Sequence, residues 1–382
     1  MVVVNPARET VDAVLEEGGE ALRLCYQCGT CTGTCPWNLV RSFALRRMIH
    51  QAQLGLVDFE DEDVWLCATC GFCVSRCPRG VKLIDVIRAL RRTIVELGVG
   101  GVPDSLRLTV KNVAGVGNPM GEEREKRADW SKGLDVKPFA PGTELLYFPC
   151  CMPAYDTNVR GVAQAMVNIL SKAGVDFGIL GVSENCCGES VRKAGSESVF
   201  QSLAESNIGV FTENGVKNIL VSSPHCYHAL KNEYPEFGGN FNVVHSTQFL
   251  WELIREQRLT FTKELNKKVT YHDPCYLGRH NDIYDEPRQV LKSIPGLELV
   301  EMPDSGRNSL CCGGGGGGIW METSKEERFS ILRLEQAIAV GAEVLAVACP
   351  YCMVMFKDSQ LTMEKGETIE IKDISELVLE AL

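Results

Sequence analysis

Cysteine spacing constrains this chain more than any other feature. Beyond residue 143, Cys150 to Cys275 is 125 residues, Cys186-Cys187 to Cys311-Cys312 is again 125, and Cys226 to Cys352 is 126. Three stations recurring in one order with one shift make an internal duplication. Each station follows a short apolar run: LLYF, FGILGV and NILVS in the first unit, KVTY, LELVEM and EVLAVA in the second. Between them, VRGVAQAMVNILSKAG and SILRLEQAIAVG have helical periodicity. Alternating strand and helix predict two α/β units, each a mainly parallel sheet covered by helices. Cysteines just after strands then lie at the carboxyl ends, where open α/β sheets bind ligands. The second unit reads Cys275-x35-Cys311-Cys312-x36-Cys349-x2-Cys352, five cysteines on three loops.

The N-terminal third carries a second pattern. Cys25-x2-Cys28-x2-Cys31-x3-Cys35-Pro36 is followed by Cys67-x2-Cys70-x2-Cys73-x3-Cys77-Pro78. This is the four-cysteine run that holds [4Fe–4S] clusters, in which three close thiolates grip one cluster and the fourth reaches its neighbour. The spacing assigns Cys25, Cys28, Cys31 and Cys77 to one cluster, and Cys67, Cys70, Cys73 and Cys35 to the other. Zinc is the alternative, but four-cysteine zinc sites use paired CxxC arms. Phe43, Leu45, Met48, Ile49, Ala52 and Leu56 predict a helix between the runs, and VKLIDVIRALRRTIVELG predicts another that ends at Gly98. The module, residues 1–98, resembles the α-helical ferredoxin type of succinate dehydrogenase iron–sulfur subunits. Arg76, Arg79, Lys82, Arg88, Arg91 and Arg92 lie nearby, either to offset cluster charge, to face an acidic partner, or as a solvated helix face. Residues 99–143, rich in Gly, Pro and charge, read as a linker or a strap over a partner.

Behind Cys311 and Cys312 stand six glycines, Gly313 to Gly318. Neighbouring side chains on a strand point to opposite faces, so two adjacent cysteines that grip one cluster need an irregular turn. Glycine permits it and lets backbone N–H groups approach cluster sulfides, which makes Gly313 and Gly314 candidate cofactor-binding residues. No Gly-Lys-Ser/Thr follows, so this is not a phosphate-binding loop.

A disulfide scaffold would be short and core-poor; this chain has 382 residues and 45% hydrophobic residues, so its 18 cysteines read as metal ligands in a reducing compartment. No secretory signal or membrane span is seen, and a cytoplasmic location is expected, membrane association coming only through another chain. The net charge of −11 argues against nucleic acid as a partner.

These motifs resemble the CCG-domain iron–sulfur proteins, best known from the catalytic subunit of heterodisulfide reductase: a two-cluster ferredoxin module fused to two CCG domains, here 144–262 and 263–382. The resemblance implies a non-cubane [4Fe–4S] cluster on Cys275, Cys311, Cys312, Cys349 and Cys352, catalytic in disulfide cleavage, in addition to two cubane clusters in the ferredoxin module. The first unit departs from the pattern. Cys150, Cys186, Cys187 and Cys226 match, but Ser223 replaces one cysteine and Cys151 is additional, leaving a further [4Fe–4S] cluster of undetermined type. Such chains imply a redox subunit elsewhere, flavin-containing or a membrane cytochrome, and either a disulfide or thiol substrate or a pure electron relay. His225, His228, His272 and His280 flank the cysteine stations as candidate proton donors, and His245 reads as a strand-to-helix turn residue.

Overall fold

The computed structural model describes residues 6–363 and 368–382. Two sheets of four parallel strands form its C-terminal two thirds. The first contains β1 (Leu145–Phe148), β2 (Phe177–Gly178), β3 (Asn218–Val221) and β4 (Asn242–His245), in the order β2-β1-β3-β4. The second contains β5 (Lys268–Tyr271), β6 (Glu298–Val300), β7 (Val344–Val347) and β8 (Glu370–Asp373), in the order β6-β5-β7-β8. The central strands are mainly apolar because helices cover both faces; Leu146, Phe148, Leu220, Val221, Val269 and Val347 are all fully buried.

Two of the expected strands are shorter than their apolar runs. After Gly178 the chain leaves β1 and pairs instead with residues 137–139, where Phe139 N–H donates to Ile179 O (2.8 Å) and Ile179 N–H to Lys137 O (3.1 Å). In β6 only three residues of LELVEM pair. The duplication extends beyond the cysteines. Both β4 and β8 run straight into a helix through a capping box, with His245 capping Ser246–Arg255 and Asp373 capping Ile374–Ala381.

The two units embrace. The helix after β1 (Arg160–Lys172) packs on the last helix of the second unit (Ile374–Ala381), and the helix after β5 (Asp285–Ser293) packs on the last helix of the first (Ser246–Arg255). This is a two-fold relation within one chain, each unit offering the other the same face.

In the N-terminal module the expected helices span Leu45–Leu54 and Leu83–Leu97, the latter closed by Gly98 in the left-handed region (φ 61°). Arg91 and Arg92 do not lie on a solvated face: Arg91 is fully buried and Arg92 nearly so. Residues 99–143 hold a helix, Asp104–Val116, and a 3-10 segment, Arg124–Ser131. Leu106 is buried in the N-terminal core and Trp130 in that of the sheets. What this segment straps is therefore the chain itself. Among the described residues no helix is long and apolar enough to cross a membrane.

Candidate metal centres

Both N-terminal runs adopt one backbone. The residue before the second cysteine is left-handed although it is not glycine, Gln27 (φ 67°) and Thr69 (φ 47°), and the residue after it is a left-handed glycine, Gly29 (φ 86°) and Gly71 (φ 77°). Such conformations cost free energy at non-glycine positions and mark places where the surroundings demand them. Cys35, Cys67, Cys70 and Cys73 line one apolar cavity with Trp37, Phe43 and Phe329. In the other set Cys28 is exposed and Cys25, Cys31 and Cys77 are half-buried, with Tyr26 against Cys28. Burial pushes the Cys35, Cys67 and Cys73 thiols up. Bare thiolates are disfavoured there, and thiolate is the form a metal would stabilise.

At the second CCG station Cys275, Cys311, Cys312, Cys349 and Cys352 converge, none more than 6% exposed. Cys312 Sγ and Cys352 Sγ are 3.3 Å apart. Contacts with Cys311 and Cys352 hold Cys312 below the usual thiol range. His272 lies against the same pair, its ligand atom within 4.8 Å of both sulfurs, while its Nδ1 accepts from Arg333 Nε (3.3 Å). Gly313 N–H donates to Cys311 Sγ (3.3 Å), as Gly188 N–H does to Cys186 Sγ (3.4 Å) in the first unit.

The remaining glycines serve a contact that the sequence does not reveal. A Cβ on Gly315 would lie inside van der Waals distance of the Ala68 carbonyl, and one on Gly316 inside that of Cys67. The loop behind Cys312 thus lies backbone to backbone on the second ferredoxin run, and Cys70 touches Cys311. Arg91 fastens the junction: its guanidinium donates to the carbonyls of Val64, Trp65, Cys67, Lys193 and Gly316 at 2.8–3.0 Å. Thr69 Oγ1 and Tyr276 Oη share a hydrogen bond (2.8 Å), and His280 Nε2 meets Thr69 O (2.8 Å). Arginine within a charged helix gives no signal of this role in sequence.

The first station gathers its thiols differently. Contacts with Cys186 and Cys226 hold Cys187 below the usual thiol range, while the nearby Cys150 acts in the opposite direction. Cys150 itself is left-handed (φ 68°). Cys151 pairs with Cys186 and accepts from Arg127 Nη1 (3.3 Å), a fully buried arginine paired with Glu184 (3.0 Å). Ser223 occupies the helix-cap position that Cys349 holds in the second unit, fully buried, and its Oγ has no partner among the described residues.

His225 is stacked between Tyr276 (4.1 Å) and Tyr351 (4.4 Å), with Nδ1 3.2 Å from Glu189 and a contact to Cys349 of the other unit. Burial opposes its protonation, but Glu189 lifts its pKa to about 10. Burial instead holds His228 at about 4 and His280 and His245 at about 3. Of the sequence-derived candidates only His225 is shifted upward, by Glu189 and Cys349.

A family profile described as "Cysteine-rich domain" (CCG) matches residues 145–231 and again 269–357. A second, for the 4Fe-4S dicluster domain, matches 24–81. One subunit of the dihydromethanophenazine:CoB–CoM heterodisulfide reductase of Methanosarcina barkeri is 32% identical over 94% of each chain. The chain belongs to the CCG-domain iron–sulfur proteins. Other CCG-domain relatives are the "Probable iron-sulfur-binding oxidoreductase FadF" of Bacillus subtilis, 37% identical over 78% of this chain, and the EtfAB:quinone oxidoreductase of Syntrophomonas wolfei, 36% identical over 79%. The chain spans 44% of the length of each of these two. It combines a 4Fe-4S dicluster domain with two CCG domains, and its soft thiol sets suit iron–sulfur clusters.

Proposed function

We propose that this chain is the iron–sulfur subunit of a multi-subunit redox complex, carrying electrons from two ferredoxin-type [4Fe–4S] clusters to the CCG sites, with a non-cubane [4Fe–4S] cluster on Cys275, Cys311, Cys312, Cys349 and Cys352. The observation that carries the reading is the backbone contact of Gly315 and Gly316 with Ala68 and Cys67, which lays the loop behind Cys312 on the second ferredoxin run. Bound clusters supply one-electron chemistry; the chain's residues hold, bury and align them. Cys28 and Tyr26, both exposed, open the first thiol set to a redox partner. Cys35, Cys67, Cys70 and Cys73 hold the second set against the CCG loop, where Arg91 and the glycine run fix the separation. His225, held charged by Glu189, keeps a positive group beside Cys349.

A sulfur substrate is supported by a cleft of about 350 Å³ that reaches Arg279, four residues after Cys275, and is lined there by Lys82, Arg88 and Lys193 together with Asp85. Its basic lining suits a disulfide with anionic tails. The second reading, a relay with no substrate, is favoured by the burial of all five thiols and by the higher identity to FadF and the EtfAB:quinone oxidoreductase. In either case the electron donor or acceptor, flavin or cytochrome, lies outside the ferredoxin and CCG domains described above.

Anaerobic purification with iron and sulfide analysis tests the loading: four [4Fe–4S] sites require about sixteen irons per chain, and about eight would refute clusters at the CCG sites. Cys312→Ser replaces a soft ligand by a hard one. The expected outcome is retained ferredoxin absorbance, an altered or absent CCG signal and no turnover with the redox partner. Full turnover with a native spectrum would leave an ordinary relay.

A further inference from the structure

Arg279 follows Cys275 by four residues and sits between two thiol sets. Its Nε donates to the Cys70 carbonyl (2.8 Å), inside the second ferredoxin run, and its Nη1 to the Ser309 carbonyl (2.7 Å), two residues before Cys311. Its buried Nη2 has no partner among the described residues. No carboxylate pairs with it among the described residues; the anionic groups it feels most strongly are the sulfurs of Cys70, Cys275 and Cys311. The Phe72 ring packs on it, 5.0 Å from the guanidinium carbon. Arg279 is half-buried at the edge of the cleft described above, and with sulfurs rather than carboxylates as its main anionic neighbours the site favours negative charge on both sides of this cation.

We propose that Arg279 is a shared counter-ion of the second ferredoxin centre and the second CCG centre, and that it raises the reduction potential of both. The proposal rests on the reading above that both thiol sets hold iron–sulfur clusters. Reduction adds negative charge to a centre, and a fixed cation within a low-dielectric site favours the more negative state. Arginine suits the position because its fork satisfies one carbonyl in each module and still leaves a donor between them, and because it stays charged when buried. Arg279 is a positioning residue: its carbonyl bonds hold Cys70 and Cys311 in register, and its charge acts on the centres they hold. Because one charge faces two centres, their potentials are coupled and move together. Cys25, Cys28, Cys31 and Cys77 belong to the other thiol set, which does not share this contact and serves as an internal reference.

The test is an EPR-monitored redox titration of the holoprotein, wild type beside Arg279→Gln and Arg279→Lys. For Arg279→Gln, the reduction equilibria of the second ferredoxin centre and the second CCG centre are expected to fall at least tenfold each, about 59 mV for one electron, while the first ferredoxin centre stays at its wild-type midpoint. Arg279→Lys retains the charge and restores both midpoints. An Arg279→Gln protein with full iron and wild-type midpoints overturns the proposal, as does a shift confined to one centre. If the glutamine variant loses iron, the lysine variant decides: wild-type midpoints support the charge role, and midpoints lowered at both centres refute it. About eight irons per wild-type chain would remove the second CCG centre altogether, a failure of the four-centre reading that iron analysis identifies before any variant is made.

Discussion

Replacing Arg91 by methionine keeps the stem of the side chain and deletes its fork. Six hydrogen bonds to five carbonyls disappear: Val64, Trp65 and Cys67 in the ferredoxin module, Lys193 in the first CCG unit and Gly316 in the second. Each buried carbonyl left unpaired costs about 1 kcal/mol at the low end, so five amount to about 5 kcal/mol. Removing the buried cation relieves part of its own desolvation, which brings the net loss to about 3–4 kcal/mol, at the upper end of single substitutions. The assay is native-state hydrogen exchange of the holoprotein at the amides of residues 64–67 and 313–318. Exchange there is expected to accelerate by about two to three orders of magnitude, at 1.4 kcal/mol per tenfold, while β1, β3, β5 and β7 keep their protection. Arg91→Lys should fall between, because an ammonium has three donors for five carbonyls. Protection within threefold of wild type at both segments in Arg91→Met would show that the junction is held by something other than this arginine.

Gly315→Ala drives a methyl group against the Ala68 carbonyl; a cost of about 1–3 kcal/mol is expected from overpacking, read as a lower melting temperature with the iron content unchanged, and an unshifted melting curve would mean that the two backbones are not in contact. Ser223→Cys is expected to fold normally and to change the spectrum of the first CCG site, since its Oγ is buried without a partner beside the thiols; an unaltered spectrum counts against Ser223 as the missing ligand position. His245 titrates at about 3 when folded and near 6.5 when unfolded, so between these values the unfolded chain binds the extra proton and His245 lends stability that is present above pH 6.5 and lost on acidification. Stability should therefore drop more steeply with falling pH in the wild type than in His245→Gln, by about 1.4 kcal/mol per pH unit; parallel profiles would refute a buried neutral imidazole.

The duplication is legible because its physics is local and repeated. Apolar runs ending in cysteine announce a strand and a loop at its carboxyl end, and a constant shift ties the two units together. The N-terminal runs are equally legible, since cluster spacing is a covalent requirement read along the chain. What escapes is tertiary in origin. Arg91 and Arg92 sit in the helix Leu83–Leu97 like any surface pair, and nothing local says that one is fully buried at a three-way junction. The glycine run reads as room for a cluster; Gly313 meets Cys311 in that sense, but Gly315 and Gly316 answer to carbonyls about 250 residues earlier. Arg127 and Glu184, the buried pair beside Cys151, lie 57 residues apart, the arginine hidden in a charged stretch that composition alone assigns to solvent. The edge strand β2 ends early because the strap competes for its hydrogen bonds, which periodicity cannot see.

The embrace of the two units has a consequence for how this chain is inherited and handled. Each lends the other a helix face, and His225 of the first stands against Cys349 of the second. A gene cut between them, near residue 262, would give two fragments of plausible size, each with an apolar flank bared and the second with a thiol stripped of its neighbouring imidazole. Each copy now covers an apolar flank of the other, so a rearrangement that carried one copy alone would bare a face that the duplication had closed.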